Sequence, residues 1–340
     1  MADVVYYNAS FTNTSATARS ASIAEFRNAP VLDDPTRYQM SVVRFDVATE
    51  SIPIAAINNI AGGSATDCFV TVTYLGVDYP QQVNLTKSQT TNFNFVYSYQ
   101  HWLDNINFAL AAAFAAAALA GPIVGQLPPL LIWDPRSQLI RLFFSSIFLQ
   151  NIPNPVTISV NSQLYRYLRG FEAFFNGYGT PLGKDYDLIT VPSNTIAVPA
   201  APRDGYPPIA AGYIYYVSQE TISVGSWNPM RSLVLTSNMI PVRSEYVPSD
   251  VKVASGNGPS GNYQPILTDF LADQSNTPTD KRGVTVYLPT AEYRMADLVS
   301  QTPLYDIDLT ASWADFNGVL YPILLGPGET FGAKLMFRRK

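Results

Sequence analysis

His101 is the only histidine of the chain and the first residue whose side chain could do acid–base chemistry. A serine or cysteine triad would have to use it, because such triads place a histidine beside the nucleophile. His101 falls on the polar side of a segment with helical periodicity, where a solvated histidine is the ordinary outcome. Neither the G-x-S-x-G turn of hydrolases nor P-loop spacing occurs. The sequence therefore predicts no catalytic residue and no enzyme.

Several carboxylates are spaced closely enough to be considered as cation ligands or as an acid–base pair. They are Asp33, Asp34, Asp185, Asp187, Asp204, Asp306 and Asp308. Asp33-Asp34 precedes a proline and indicates a turn. Asp306 and Asp308 share one face of an alternating segment, where they are calcium-ligand candidates, but a solvated strand face is the ordinary role of such a pair. With one histidine and one cysteine, Cys68, histidine-rich and four-thiolate metal sites are excluded. We predict no metal and no cofactor.

Charge excludes further classes of protein. Charged residues make up 14% of the chain and the net charge is −5, with no basic run before Arg338-Arg339-Lys340. Binding nucleic acid without regard to its sequence needs a run or surface of basic residues, and none is visible in this sequence. We therefore expect no role in genome packaging and no direct, sequence-specific contact with nucleic acid. The first residues show no basic segment followed by an apolar run, so no secretory signal is expected.

Aromatic residues are abundant, with 21 Tyr and 18 Phe, and two groups of them are dense in sequence. They are Phe93-Phe95-Tyr97 and Phe171-Phe174-Phe175-Tyr178. Such groups could stack sugars or bases, but single-strand nucleic-acid sites combine aromatic residues with basic ones. Because these groups have no interleaved basic residues, we predict that they lie in a core or in a contact between subunits.

The most apolar stretch, 104–125, raises the question of a membrane span. A rotation of 100° per residue places seven apolar residues on one arc of about 120°. They are Trp102, Leu103, Ile106, Leu110, Ala113, Phe114 and Ala117. The opposite side holds Gln100, His101, Asp104, Asn105 and Asn107. A spanning helix is apolar on all sides over about 20 residues. We therefore predict a half-buried amphipathic helix near 99–120 and no membrane span.

Elsewhere the sequence predicts about ten short strands. In 305–313 apolar residues alternate with polar ones, which is typical of a strand that buries one face. In 38–47 the alternation changes phase at Val42-Val43, which predicts a bulge or a strand covered on both faces. Segments 130–133 and 138–144 flank a proline turn and form a predicted hairpin. Further predicted strands are 68–75, 156–160, 213–217, 231–236, 282–288, 319–321 and 332–338.

Long loops join these strands, mainly the Pro- and Ala-rich 189–212 and the Gly- and Ser-containing 247–264. Antiparallel strands joined by such loops favour an all-β sandwich or jelly roll. No convincing internal repeat is present, which weakens, without excluding, two similar barrels in tandem.

Five segments carry a resemblance to a known family. They are EFRNAPVLDDPTRYQMSVVRFDVATESIPI (25–54), LIWDPRSQLIRLFF (131–144), LYRYLRGFEAFFNGYGTP (164–181), RSLVLTSNMIPVRSE (231–245) and 302–340, which begins TPLYDIDLTASW. Together they resemble the minor capsid, or penton, proteins of polinton-like viruses and virophages, which are small icosahedral viruses with double-stranded DNA. The similarity is one of pattern, since none of the segments is a chemical signature.

The resemblance implies a single jelly roll and a place in the virion. Five copies would form a homopentamer that fills each vertex of an icosahedral shell, between trimers of a major capsid protein. The chain of 340 residues exceeds what eight strands need. The resemblance therefore implies one elaborated jelly-roll domain over 1–340, with insertions near 99–125 and 165–212.

Three alternatives stay open at this point. Within the same class, a compact double jelly roll would make the chain a major capsid protein. Two alternatives belong to other classes of protein. One is a β-sandwich adhesin or carbohydrate-binding protein, and the other is a glycosidase with two carboxylates about 5–9.5 Å apart across a cleft.

Overall fold

The computed structural model describes residues 4–58, 68–84, 93–119, 121, 123, 125–180, 183–198, 212–224, 227–247, 262–271, 284–287, 294–316 and 318–340. The predicted loops 189–212 and 247–264 lie partly outside these residues, and Asp204 lies outside them altogether. The chain divides into two compact units. Unit 1 comprises Met1–Ile52 and Pro229–Lys340, and unit 2 comprises the intervening Pro53–Asn228.

Strands dominate both units. In chain order the strands and α-helices are β1 (Val4–Thr12), β2 (Arg19–Ser20), β3 (Ser22–Glu25), β4 (Tyr38–Ala48), β5 (Ala55–Asn58), β6 (Phe69–Tyr74), β7 (Val77–Gln82), β8 (Phe93–Val96), α1 (Tyr99–Leu119), β9 (Leu130–Asp134), β10 (Leu139–Phe144), β11 (Thr157–Val160), α2 (Ser162–Tyr165), β12 (Ala173–Phe175), β13 (Tyr186–Leu188), β14 (Ile196–Ala197), β15 (Tyr215–Ser218), β16 (Met230–Thr236), β17 (Glu245–Val247), β18 (Asn262–Gln264), β19 (Ile266–Leu271), β20 (Val284–Tyr287), β21 (Ala296–Asp297), β22 (Ile307–Asp315), β23 (Leu320–Pro322), β24 (Leu324–Leu325) and β25 (Thr330–Arg339). The described residues thus hold more strands than the ten or so predicted. Most of the additional ones are too short to leave a period in the sequence.

Ten strands of unit 1 form two five-stranded antiparallel sheets, in which the short strands β21 and β23 pair with β4 and β22 beside eight main strands. One sheet has the order β1-β25-β4-β20, and the other has the order β3-β22-β16-β19. Numbered one to eight along the chain, these orders are 1-8-3-6 and 2-7-4-5. Two interlocked Greek keys of this kind define a jelly roll. The predicted all-β jelly-roll sandwich is therefore confirmed.

Strand β4 contains the predicted bulge. Its pairing with β25 runs from Lys334 opposite Arg44 directly to Leu335 opposite Val42, so that Val43 is the extra residue. A bulge of this kind resets the alternation of side chains between the two faces. Val42 and Phe45 are accordingly both buried, although an unbroken strand would place them on opposite faces.

Unit 2 is inserted in the sequence between β4 and β16, and it contains both predicted insertions, 99–125 and 165–212. Its described strands form a five-stranded sheet, β12-β13-β11-β6-β7, a four-stranded sheet, β14-β15-β10-β9, and the pair β5-β8. These orders do not repeat the jelly-roll order of unit 1, so the described residues do not form the alternative double jelly roll. That the whole of 1–340 is one elaborated domain stays a prediction.

Helix α1 is the predicted amphipathic helix, and it packs on β6, β7 and β9. All seven apolar residues predicted for its inner face are buried. The prediction was wrong for Asn105, which is buried too and whose Nδ2 donates a hydrogen bond to the His101 carbonyl oxygen at 2.6 Å. By length and composition alone α1 would suffice to cross a membrane, but a buried core helix passes the same test.

Candidate assembly surfaces

The candidate carboxylates of unit 1 accept hydrogen bonds from nearby groups. Asp308 accepts from the Ser237 hydroxyl at 2.7 Å and from the Met239 amide at 2.8 Å. Asp306 accepts from the Arg27 amide at 3.1 Å. Within the described residues, no three His, Cys, Asp or Glu side chains lie close enough together to hold a metal ion. These carboxylates therefore fix turns and strand ends.

The other candidates for chemistry are equally dispersed. Asp34 accepts hydrogen bonds from the Thr36 amide and hydroxyl at the start of the 3-10 helix Pro35–Arg37, where a turn was predicted. Asp33 and His101 are exposed, and Cys68 is buried. The structure does not bring these residues together.

The second aromatic group provides exposed side chains at the edge of a sheet, where Phe174 and Phe175, as successive strand residues, point to opposite faces. Phe174, Phe175 and Tyr178 are 62%, 52% and 78% exposed, whereas Phe171 is buried. Phe174 and Phe175 belong to β12, which ends the five-stranded sheet and pairs, in the described part of the chain, with β13 alone. We call the three exposed residues the aromatic edge. Large exposed aromatic side chains are typical anchors of protein–protein contacts.

Ring contacts hold two residues of the aromatic edge, Phe175 and Tyr178, in place. The Phe175 ring lies 5.0 Å from the Tyr178 ring and 5.0 Å from the Tyr186 ring, measured between centroids. Tyr186 in turn stacks on Tyr165 at 3.9 Å. Side chains fixed in this way lose little conformational freedom when a partner covers them.

Asp185 fixes the loop that carries Tyr178. The carboxylate accepts hydrogen bonds from the Ser162 amide and hydroxyl at 2.8 and 2.5 Å, and from the Thr180 amide and hydroxyl at 3.1 and 2.8 Å. Burial opposes ionisation of this carboxyl, but the hydrogen bonds from Ser162 and Thr180 outweigh burial and lower the pKa of Asp185 below its usual range. The ionised side chain therefore ties the loop to α2.

Replacing Asp185 by Asn is expected to lower the free energy of unfolding of unit 2 by about 1.5–3 kcal/mol near neutral pH, because an amide oxygen cannot replace a carboxylate that accepts four hydrogen bonds. A pKa that is lower in the folded than in the unfolded chain stabilises the fold above about pH 4 and ceases to do so as the pH falls through the folded-state pKa. The difference between the two proteins should therefore shrink in acid. Urea unfolding at about pH 7 and about pH 2.5 measures it.

Asp104→Asn is the matched control, because Asp104 is exposed on α1 and accepts a hydrogen bond from Gln100 at 2.8 Å. This substitution is expected to change the free energy of unfolding by less than about 0.5 kcal/mol. A deficit of Asp185→Asn that stayed constant from neutral pH to acid would contradict the role assigned to the ionised carboxylate.

A second exposed apolar surface lies at the opposite edge of the same sheet. Leu75 and Val77, at the turn from β6 to β7, are 53% and 51% exposed. The turn places Leu75 at φ 51° and Gly76 at φ 76°. We call Leu75 and Val77 the aliphatic corner. The sequence pattern gave only a weak signal for it, namely the single glycine Gly76 between two segments of strand character.

The first aromatic group gives a smaller surface. Tyr97 is 40% exposed and Phe95 is half-buried, while the Phe93 side chain lies outside the described residues. The prediction of a core or a subunit contact thus has a different outcome for different residues of the two groups. Phe171 belongs to the core of unit 2, and the aromatic edge has the exposure that a contact requires.

Comparisons with known proteins agree with this arrangement. The family model of the Sputnik minor capsid protein V18/19 matches residues 5–339. Structural protein V19 of Sputnik virophage is 28% identical over 211 residues, which make up 61% of this chain and 93% of that protein. A chain of the Sputnik virophage structure determined by cryo-EM is similar with a TM-score of 0.78 and 25% identity, covering 100% of this chain and 99% of that one. The crystal structure of the mavirus penton protein has the same fold, with a TM-score of 0.70, 18% identity and 99% coverage of both chains.

The relatives are structural capsid proteins and not enzymes. The resemblance found in the sequence is therefore confirmed, together with the non-enzymatic role and the virion location. Because the family model spans almost the whole chain, the jelly roll of unit 1 and the inserted unit 2 both fall within the match. The chain belongs to the family of the Sputnik minor capsid protein V18/19.

Proposed function

We propose that the protein is the penton subunit of an icosahedral shell, in which five copies close a ring at each vertex and contact the surrounding major capsid protein. The observation that carries this proposal is the single jelly roll of unit 1, in a chain of the minor capsid family. The likeness in fold to the mavirus penton protein supports it.

A closed five-fold ring requires a heterologous interface, in which two different surfaces of each subunit meet. Stable interfaces of standard size bury roughly 800 Å² per partner and have few charged residues at their centre. A chain with only 14% charged residues and with exposed aromatic side chains suits such contacts. The same low content of charged residues suits packing against a second capsid protein.

Mass photometry of the purified full chain measures how many copies assemble, and a species of five copies is the expected result. Electron microscopy of particles that carry a gold-labelled tag on this protein locates it in the shell, and label at the vertices is the expected result. Compact monomers alone under assembly conditions would contradict the pentamer. Label spread over the facets would contradict the vertex position, and no label on particles would favour the adhesin alternative.

A further inference from the structure

We propose that α1 blocks strand addition at one sheet edge of unit 2, so that a second copy of this chain cannot pair with β9. The blocking contact is made by Asn107 and Gln100, two side chains of α1 that form hydrogen bonds with the backbone of β9. The proposal does not depend on the pentamer, because it concerns an association that the fold prevents.

The outward backbone groups of β9 can be identified from its pairing. β9 is the outermost strand of the sheet β14-β15-β10-β9 and pairs, among the described strands, with β10 alone. In an antiparallel pair, only every second residue turns its amide and carbonyl toward the partner strand. Ile140 of β10 lies opposite Trp133 but exchanges two hydrogen bonds with Gln219, at 3.0 and 3.1 Å. The backbone groups of Trp133, and by alternation those of Leu131, therefore point out of the sheet.

Asn107 takes the place of a strand residue beside Leu131. Its Nδ2 donates a hydrogen bond to the Leu131 carbonyl oxygen at 2.9 Å, and its Oδ1 accepts one from the Leu131 amide at 2.7 Å. Donating to and accepting from the same residue of a neighbouring strand is the pattern of a hydrogen-bonded antiparallel pair. The Asn107 side chain thus occupies both backbone groups that a further strand would use at this position.

Gln100 occupies the amide at the next outward position. Its Oε1 accepts a hydrogen bond from the Trp133 amide at 2.9 Å, and its Nε2 donates one to Asp104 Oδ1 at 2.8 Å. The bond to Asp104 determines which end of the Gln100 amide faces β9. Gln100 and Asn107 are separated by two helical turns and lie about 20° apart around the helix axis. One flank of α1 therefore carries both side chains, and both are half-buried.

Prolines limit the outward positions on either side of these two. Continuing the alternation from Leu131 and Trp133 leads to Pro129 before them and to Pro135 after them. Proline has no amide hydrogen and cannot donate a hydrogen bond to an added strand. Each outward amide position in 129–135 is thus either a proline or bonded to a side chain of α1.

The composition of β9 and β10 gives this contact its purpose. The two strands read LLIWD and LIRLFF, so both are rich in apolar residues and neither contains a proline. Short apolar segments with high strand propensity and few charges associate with one another when a sheet edge is open. Many copies of a capsid protein come together during assembly, so an open edge here would allow incorrect pairing.

Two single substitutions in the full chain test the hydrogen bonds one at a time. Asn107→Ala removes the partner of Leu131, and Gln100→Ala removes the partner of the Trp133 amide. Alanine has the higher helix propensity, so neither change weakens α1 itself. Hydrogen exchange measured by mass spectrometry at single-residue resolution is expected to accelerate about tenfold at Leu131 in the first variant and at Trp133 in the second.

His101→Ala is the matched control, because His101 is exposed on the same helix. It should leave exchange at both amides unchanged. Unchanged exchange in Asn107→Ala and Gln100→Ala, or equal acceleration along the whole of β9 in both, would contradict the assignment of each side chain to its own backbone group.

The double variant, Gln100→Ala with Asn107→Ala, tests whether the contact prevents association. Without these hydrogen bonds, local opening of α1 from β9 exposes the edge more often. Sedimentation is expected to show species larger than those of the wild type at a protein concentration at least about tenfold below the one at which the wild type forms them. Exchange at Leu131 and Trp133 should slow again as the concentration rises, because a second copy then pairs with β9.

The wild type at the same concentration is the reference, so the result can be read whether the wild type is a pentamer or a monomer. A double variant of wild-type size at every concentration, with accelerated exchange at both amides, would overturn the proposal. Association without renewed protection of these amides would overturn it too, because the copies would then join elsewhere. If circular dichroism shows the double variant unfolded, the same comparison is made with Asn107→Ala, which opens both groups of Leu131.

Discussion

Replacing Phe45 by Ala is expected to lower the free energy of unfolding of unit 1 by about 3–5 kcal/mol. Phe45 is completely buried in β4, and its ring lies 5.7 Å from the Phe331 ring and 5.3 Å from the Phe270 ring, measured between centroids. Phe331 belongs to the neighbouring strand β25, whereas Phe270 belongs to β19 of the other sheet. Truncation would therefore leave a cavity where the two sheets of the jelly roll meet.

Hydrogen exchange followed by mass spectrometry measures this effect for unit 1 separately from unit 2. In Phe45→Ala, exchange is expected to accelerate in β4, β19 and β25, because opening of the sandwich exposes the amides of all three strands. Phe26→Ala is the matched control, since Phe26 is 72% exposed, and it should cost less than about 0.5 kcal/mol. Equal acceleration in the two variants would show that Phe45 does not join the sheets.

The sequence predicted those parts of the fold that depend on local periodicity. The phase change at Val42-Val43 indicated the bulge, because a buried strand cannot otherwise place Val42 and Phe45 on one face. The hairpin of β9 and β10 was found for a similar reason, since a proline turn separates two apolar runs. In both cases neighbouring residues carry the whole signal.

Elements that depend on distant pairing were missed. Strand β1 pairs with β25 from Val4 opposite Arg338 to Thr12 opposite Thr330, at the other end of the chain. Its own sequence includes Asn8 and Ser10, which have low or indifferent strand propensity, so tertiary pairing determines its conformation.

The aromatic group 171–178 shows which feature of the candidate surface the sequence could not predict. Composition indicated a core or a subunit contact, and the structure assigns Phe171 to the core but leaves Phe174 and Phe175 exposed. What separates them is that β12 ends its sheet. Periodicity along one strand does not reveal whether a second strand covers its free side, so sequence reasoning named the residues without locating the surface.

Replacing Phe114 by Ala is expected to lower the free energy of unfolding of unit 2 by about 3–5 kcal/mol. Phe114 is buried on the inner face of α1, with its ring 5.6 Å from the Phe148 ring, measured between centroids. Phe108 provides a control on the same helix, since it is 67% exposed. Both substitutions change helix propensity by the same amount, so the difference between them isolates the effect of burial.

The comparison also tests the role of α1, which is long and apolar enough to cross a membrane by length and composition alone. If α1 is the core helix of unit 2, Phe108→Ala should cost less than about 0.5 kcal/mol in urea unfolding, and Phe114→Ala should accelerate hydrogen exchange in β6 and β9, on which α1 packs. A cost of Phe108→Ala equal to that of Phe114→Ala would mean that the outward face of α1 is covered as well. In that case the amphipathic character predicted from the sequence would not describe how the helix is used.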